Sequence, residues 1–131
     1  MINLFAKYKI IFYLLNTILI ILYLYPGSLL GCFFFDNCHK QPQITRDFVV
    51  SSNHVYVFSL ITLIGIFTYL KSKKIKSLAI YLVFLSIFLE LMHIVIPHRG
   101  FELGDLFGNL VGTILSFILY SMIKIYVFFK K

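Results

Sequence analysis

Four long apolar runs follow one another along the chain, at about residues 10–25, 55–70, 78–96 and 106–129. Each is close to the roughly 20 residues that a helix needs to cross a bilayer. Charges are nearly absent from the runs, and none alternates as a half-buried strand does. Pro26 and Gly27 end the first run and Pro97 ends the third. The pattern predicts an all-α integral membrane four-helix bundle with short outer connections, forming one domain over residues 1–131.

The composition excludes the soluble classes of protein. The 131 residues are 60% hydrophobic and 13% charged, with a mean hydropathy of +0.93. A soluble domain is roughly 45–50% apolar and about 25% charged, and a disordered chain is more polar still. We therefore expect membrane lipids around the chain and no nucleic acid as a partner.

The placement of the basic residues predicts an orientation. Nine lysines lie before the first run, between the second and third runs, or in and after the fourth: Lys7, Lys9, Lys71, Lys73, Lys74, Lys76, Lys124, Lys130 and Lys131. The other two connections mix basic and acidic residues. Since basic residues concentrate on the cytoplasmic side of membrane proteins, both termini are predicted to be cytoplasmic.

With that orientation, polar side chains collect near the outer ends of three predicted helices: His54, Glu90, His93, Arg99, Asp105 and Asn109. An ionisable group in a span is costly and usually faces the bundle interior or a water-filled cavity. Gly108 and Gly112 would let another helix approach the fourth span closely.

We expect the second, third and fourth spans to converge on an outward-open pocket lined by His54, Glu90, Arg99, Asp105 and Asn109. In the simplest alternative, Arg99 pairs with Glu90 or Asp105 and the ion pairs only tie the helix ends together.

Arginine indicates the chemistry of the ligand. Its guanidinium suits bidentate contact with phosphate or carboxylate, so we expect an anionic lipid or glycolipid headgroup. An alternative is a hydrolase or transferase with Glu90 and His54 as its acid–base pair, although no familiar hydrolase triad accompanies them. Binding of the headgroup would alter the access of other molecules or aid a partner enzyme. The third hypothesis is a structural or assembly subunit whose polar cluster only positions helices.

Metal binding by the same residues is a less favoured hypothesis than anion binding. Glu90 and His93 match one half of a di-metal motif that normally needs two such pairs. With Asp105, His54 and His93 could ligate a single Zn²⁺. An inward-pointing Arg99 would repel a cation, so no metal and no cofactor is expected.

Cys32 and Cys38 lie in the connection after the first run. An oxidising exterior permits a disulfide between them. Residues 29–32 also partly match a lipoprotein cleavage box, and free thiols are the third alternative. The apolar stretch 29–35 is too short to span and is expected to lie in the membrane interface.

The polar block of the third and fourth runs resembles the VanZ-like family. Its usual pattern is E-x-x-Q, then P-x-R-x-F, then D-x-x-x-N-x-x-G, with D-K-x-x-H opening the preceding helix. The matching positions are Glu90, Pro97, Arg99, Phe101, Asp105, Asn109, Gly112 and His54. Val50 and Ser51 stand at the Asp-Lys positions, and His93 at that of the Gln.

The resemblance covers residues 53–115, about half of the chain, and implies a small multi-span protein of the bacterial cytoplasmic membrane. The founding member of the family is associated with teicoplanin resistance. A role in the cell envelope or in resistance to glycopeptide antibiotics is what the resemblance implies.

Overall fold

The computed structural model describes residues 4–130, with the side chains from residue 8 onward, and in this range the chain is all-helical. The five helices are α1 (Leu4–Leu24), α2 (Leu29–Phe35), α3 (Ser52–Tyr69), α4 (Ile75–Met92) and α5 (Leu103–Phe129). Two of the lysines on which the orientation rests, Lys131 and the side chain of Lys7, lie outside the described residues.

Three helices, α3, α4 and α5, are long and apolar enough to cross a membrane. Helix α1 from Tyr8 onward and helix α2 meet the same requirement together, across a bend of 85°. Counting this bent pair as one span raises the number to four. The prediction of apolar, membrane-compatible helices is thereby confirmed.

The helix boundaries differ from the apolar runs by a few residues. Helices α3, α4 and α5 begin at residues 52, 75 and 103 rather than 55, 78 and 106, since a first helical turn accommodates polar residues. Helix α4 ends at Met92 rather than at residue 96. Backbone bonds from Ile94 to Leu91 and from Val95 to Met92 tighten the chain into turns ahead of Pro97.

Close contact between α3 and α5 depends on two glycines, as the sequence predicts. A Cβ added at Gly108 would lie 2.7 Å from the carbonyl oxygen of Ser51, and one at Gly112 would collide with the backbone of Val55. Only a residue without a side chain permits this approach, which lets polar groups of the two helices meet.

The helices bury one apolar face and expose the other. Phe58, Leu82 and Leu89 have no exposed surface, whereas Ile80 and Phe84 are 73% and 64% exposed. Large apolar side chains on the outer surface suit a hydrocarbon environment and would be costly in water.

A small disulfide-closed turn follows α1. Gly27, with φ of +85°, lies in the bend after Pro26, and the Ser28 side chain caps α2 by accepting a 3.0 Å bond from the backbone N–H of Gly31. Cys32 and Cys38 form a disulfide. Of the three states considered for these cysteines, the structure contains this one.

Candidate functional site

Three polar side chains from three different helices meet inside the protein. The Tyr23 hydroxyl lies 2.8 Å from the amide oxygen of Asn109 and 2.9 Å from Nδ1 of His54, and that nitrogen lies 2.9 Å from the same Asn109 oxygen. Each of these residues is at least nine-tenths buried. We call Tyr23, His54 and Asn109 the polar core.

The hydrogen bonds of the polar core determine where the His54 proton lies. Nδ2 of Asn109 donates to the carbonyl oxygen of Ser86 at 3.3 Å, so Oδ1 is the atom that faces His54. An amide oxygen only accepts hydrogen bonds, and the Tyr23 hydroxyl already donates to it. Nδ1 of His54 must therefore carry its hydrogen, and Nε2 is left as the nitrogen that can accept a proton or a metal ion.

Nε2 of His54 faces a carboxylate. It lies 3.5 Å from Oδ2 of Asp105, whose side chain is 23% exposed at the start of α5. Glu90 completes a carboxylate–histidine cluster (His54, Glu90 and Asp105): one nitrogen or oxygen from each residue lies within 4.8 Å of the others.

Glu90 is fully buried at the end of α4. Its Oε1 accepts a 3.0 Å bond from the backbone N–H of Glu102, which ties the start of α5 to α4. Its Oε2 lies 3.3 Å from Nδ1 of His93 but makes no hydrogen bond to any described residue. One carboxylate oxygen is thus held by a backbone hydrogen bond, while the other faces the His93 ring.

His93 packs against the Tyr23 side chain of the polar core. Its ring stacks on that of Tyr23 with 5.7 Å between centroids, and its Nε2 lies 3.1 Å from the backbone oxygen of Tyr23. His93 is 2% exposed and acts as a support for Tyr23 and Glu90.

Arg99 attaches the α4–α5 connection to the end of α1. Its Nε donates to the carbonyl oxygen of Tyr25 at 3.3 Å and its Nη2 to that of Leu22 at 3.0 Å. A cation is favourable at a helix C-terminus, where carbonyl groups lack partners. Burial lowers the pKa of the Arg99 guanidinium, and the nearby Tyr23, Asp105 and Glu90 oppose that effect. Within residues 8–130, Arg99 forms no ion pair with Glu90 or Asp105, the alternative considered from the sequence.

A cavity of about 190 Å³ opens beside the polar core. Its walls come from α1, α2, the connection between α2 and α3, the start of α3, and Arg99 in the α4–α5 connection. The lining residues are Leu19, Leu22, Tyr23, Ser28, Leu29, Leu30, Gln41, Pro42, Ile44, Asn53, His54, Val57 and Arg99. Apolar side chains predominate, and Arg99 is the one formal charge among these residues.

The predicted pocket and this cavity share His54 and Arg99. Glu90, His93 and Asn109 are buried behind the wall, and Asp105 is partly exposed beside His54 without lining the cavity. The structure thus brings the predicted residues together, but the cavity is built by α1 and α2 rather than by α4 and α5.

Tyr23 is the member of the polar core that the sequence analysis did not single out. Phe12, Leu19 and Tyr23 are all buried in α1, and their spacing of seven and four residues places them on one helix face. That spacing marks Tyr23 as inward-facing, with a hydroxyl in need of a partner.

Comparisons of the chain with models of protein families, with curated proteins and with solved structures find no match.

Proposed function

We propose that the chain is a bacterial cytoplasmic-membrane protein of VanZ-like type whose cavity binds an anionic envelope lipid or glycolipid headgroup. In this proposal the bent α1–α2 pair serves as the fourth span of a bundle, both termini are cytoplasmic, and the cavity faces outward. Binding of the headgroup would act on the cell envelope, directly or through a partner enzyme, and resistance to glycopeptide antibiotics is the associated phenotype.

The main support for the proposal is that one positively charged side chain lines a cavity whose other walls are mostly apolar. Arg99 is the one formal charge that lines the cavity, and leucines of α1 and α2 form much of the remainder. An amphiphile with a negative headgroup complements both features, because the guanidinium binds phosphate strongly and the leucines cover the first acyl carbons.

The size of the cavity limits the range of ligands that it can hold. A volume of about 190 Å³ is about six times the share of one liquid water molecule. It is smaller than the about 300–1,000 Å³ that encloses a drug-sized ligand. The space suits a phosphate headgroup with the adjoining carbons, while the acyl chains extend along the exposed apolar helix faces.

Binding of paired lipids to the purified protein tests the proposal. Short-chain phosphatidylglycerol and phosphatidylcholine with identical acyl chains are titrated in a zwitterionic detergent. We expect tighter binding of the anionic lipid, and a loss of about tenfold or more in Arg99→Gln, because a hydrogen bond to a charged group contributes about 1.5–3 kcal/mol. Arg46→Gln is the matched control, since Arg46 is exposed in the α2–α3 connection.

Equal affinity for both lipids, or undiminished phosphatidylglycerol binding by a folded Arg99→Gln, would contradict the proposal. Arg99→Lys separates charge from geometry, since lysine keeps the positive charge but loses the planar fork. We expect it to retain part of the preference for the anionic lipid.

The geometry gives less support to an enzyme that uses Glu90 and His54 as an acid–base pair. Glu90 does not line the cavity, and both ring nitrogens of His54 face protein groups, Asn109 on one side and Asp105 on the other. A general base needs a free atom within reach of the substrate proton. Release of a product from phosphatidylglycerol by the purified protein would reverse this preference.

A further inference from the structure

We propose that the carboxylate–histidine cluster binds a divalent transition-metal ion, with Nε2 of His54 and one carboxylate oxygen each of Glu90 and Asp105 as the protein ligands. This site goes beyond the proposed lipid binding, since Glu90 and Asp105 do not line the cavity and Arg99 is not among its ligands.

The first support is the arrangement of the ligand atoms. All three candidates lie within 4.8 Å of one another, and the His54–Asp105 pair is already at 3.5 Å. Two ligands of a tetrahedral zinc ion lie about 3.4 Å apart, given bond lengths of about 2.1 Å. The His54–Asp105 pair is already near that spacing, and a movement of about 1.4 Å or less brings the most distant pair to it.

The second support is the direction of the His54 ring. Asn109 holds Nδ1 in its protonated form, so the lone pair of Nε2 is directed toward the Asp105 carboxylate. A lone pair and a negative oxygen at 3.5 Å repel each other unless a proton or a metal ion lies between them. Metal-binding histidines are commonly held in this way, with the distal nitrogen donating to an oxygen acceptor.

The third support is independent of the other two and concerns Glu90. Its Oε2 is fully buried, and the nitrogen that faces it, Nδ1 of His93 at 3.3 Å, donates a hydrogen bond only if that ring is protonated, while Oε1 is fixed by the backbone of Glu102. A buried carboxylate oxygen without a hydrogen bond is costly, and coordination of a metal ion removes that cost.

Charge balance agrees with a divalent cation. Two carboxylates, of which Glu90 is fully buried, approach each other within 4.8 Å, and such a pair needs a proton or a cation to offset the repulsion. Arg99 directs its Nε and Nη2 donors to the carbonyl groups of α1 instead. Asp105 is 23% exposed, which gives an ion a route from solvent.

The donor set indicates which ions would bind. One imidazole nitrogen with two carboxylate oxygens is borderline in softness and suits Zn²⁺ or Mn²⁺, with water completing the coordination.

Metal titration of the purified full-length chain tests the site without any lipid. The exposed rings of His39 and His98 have centroids 5.2 Å apart, and such a pair would compete for added metal, so all measurements use a His39→Gln/His98→Gln background. After treatment with a chelator, we expect saturable binding of one Zn²⁺ or Mn²⁺ per chain. Asp105→Asn and Glu90→Gln are expected to weaken it at least about tenfold.

Two variants serve as controls. Glu102→Gln removes an exposed carboxylate from the same end of the protein but keeps the backbone N–H that binds Oε1 of Glu90, and it should keep the affinity. Arg99→Gln should abolish the preference for the anionic lipid without weakening metal binding, so that failure of one proposal is distinguishable from failure of the other.

Absence of saturable binding, or equal binding by the folded Asp105→Asn chain and its parent, overturns the metal site and assigns a proton to the cluster. Thermal unfolding provides the second readout. Since an ion that binds only the folded state stabilises it, added Zn²⁺ or Mn²⁺ should raise the unfolding temperature of the parent but not of Asp105→Asn.

Discussion

The Tyr23 hydroxyl donates a 2.8 Å hydrogen bond to the amide oxygen of Asn109 and so joins α1 to α5. Helix α3 packs against both of these helices and contributes His54 to the same group of atoms. The polar core therefore fixes the positions of α1, α3 and α5 relative to one another. It also determines how the Asn109 amide and the His54 ring are oriented, on which the proposed metal site depends.

A double-mutant cycle on Tyr23 and Asn109 tests this relationship. We expect Asn109→Leu to lower the free energy of unfolding by about 2 kcal/mol, because it leaves the buried Tyr23 and His54 without an acceptor. Tyr23→Phe alone should cost about 1 kcal/mol, and the double variant less than the sum. Unfolding in detergent with increasing denaturant provides the measurement. Ser121→Ala on exposed α5 surface is the control, and additive effects would contradict the shared bond.

The close approach of α3 and α5 yields a second prediction. A methyl group at Gly112 would collide with the backbone of Val55, which side-chain rotation cannot relieve. We therefore expect Gly112→Ala to destabilise the protein by about 1–3 kcal/mol. Gly104→Ala in the same helix is the matched control, since nothing lies within 4 Å of its added Cβ. It should be neutral or slightly stabilising in the same denaturant assay, and equal effects at the two glycines would be evidence against tight packing there.

The helices and the α3–α5 contact were accessible from the sequence for a physical reason. Long apolar runs give one favourable structure in a bilayer, and the spacing of Gly108 and Gly112 specifies a face where helices meet. The polar residues were found because each carries a high desolvation cost that only a shared interior site relieves. His54, Glu90, Asp105 and Asn109 do meet there, as predicted.

The cavity was not predictable in the same way. Its walls include α2 and residues 41–44, whose position depends on the turn at Gly27 and on contacts between segments distant in the sequence. Local spacing carries no information on such contacts. Arg99 illustrates the same limit, because its partners are backbone carbonyl groups of Leu22 and Tyr25, which have no sequence signature.

The disulfide yields a third prediction, since α2 forms part of the cavity wall. The disulfide closes a short loop, and this closure stabilises the folded state by about 2 kcal/mol. Replacing Cys32 and Cys38 by serine removes that stabilisation. We expect faster hydrogen exchange in residues 28–40 and weaker binding of phosphatidylglycerol, with the exchange in α3 and α5 unchanged. Treatment of the parent chain with a reductant should reproduce the effect, whereas the serine variant should not respond to it. Unchanged exchange in this segment would contradict the stabilising role.

The orientation in the membrane is the fourth prediction, and three exposed lysine or arginine positions resolve it. Helix α5 is long enough to cross a membrane by itself. Its 27 residues extend about 40 Å at 1.5 Å per residue, and a hydrocarbon core is roughly 30 Å thick. Arg46→Cys, in the α2–α3 connection, should react with an impermeant maleimide in intact cells. Lys73→Cys, between α3 and α4, should react only after permeabilisation. Lys9→Cys distinguishes four spans from three. If α1 and α2 together cross the membrane, position 9 lies on the cytoplasmic side with position 73. If they form a re-entrant loop, position 9 lies on the outer side with position 46. Labelling of position 46 from the cytoplasm would place the cavity on the inner face and remove the basis for envelope-lipid binding.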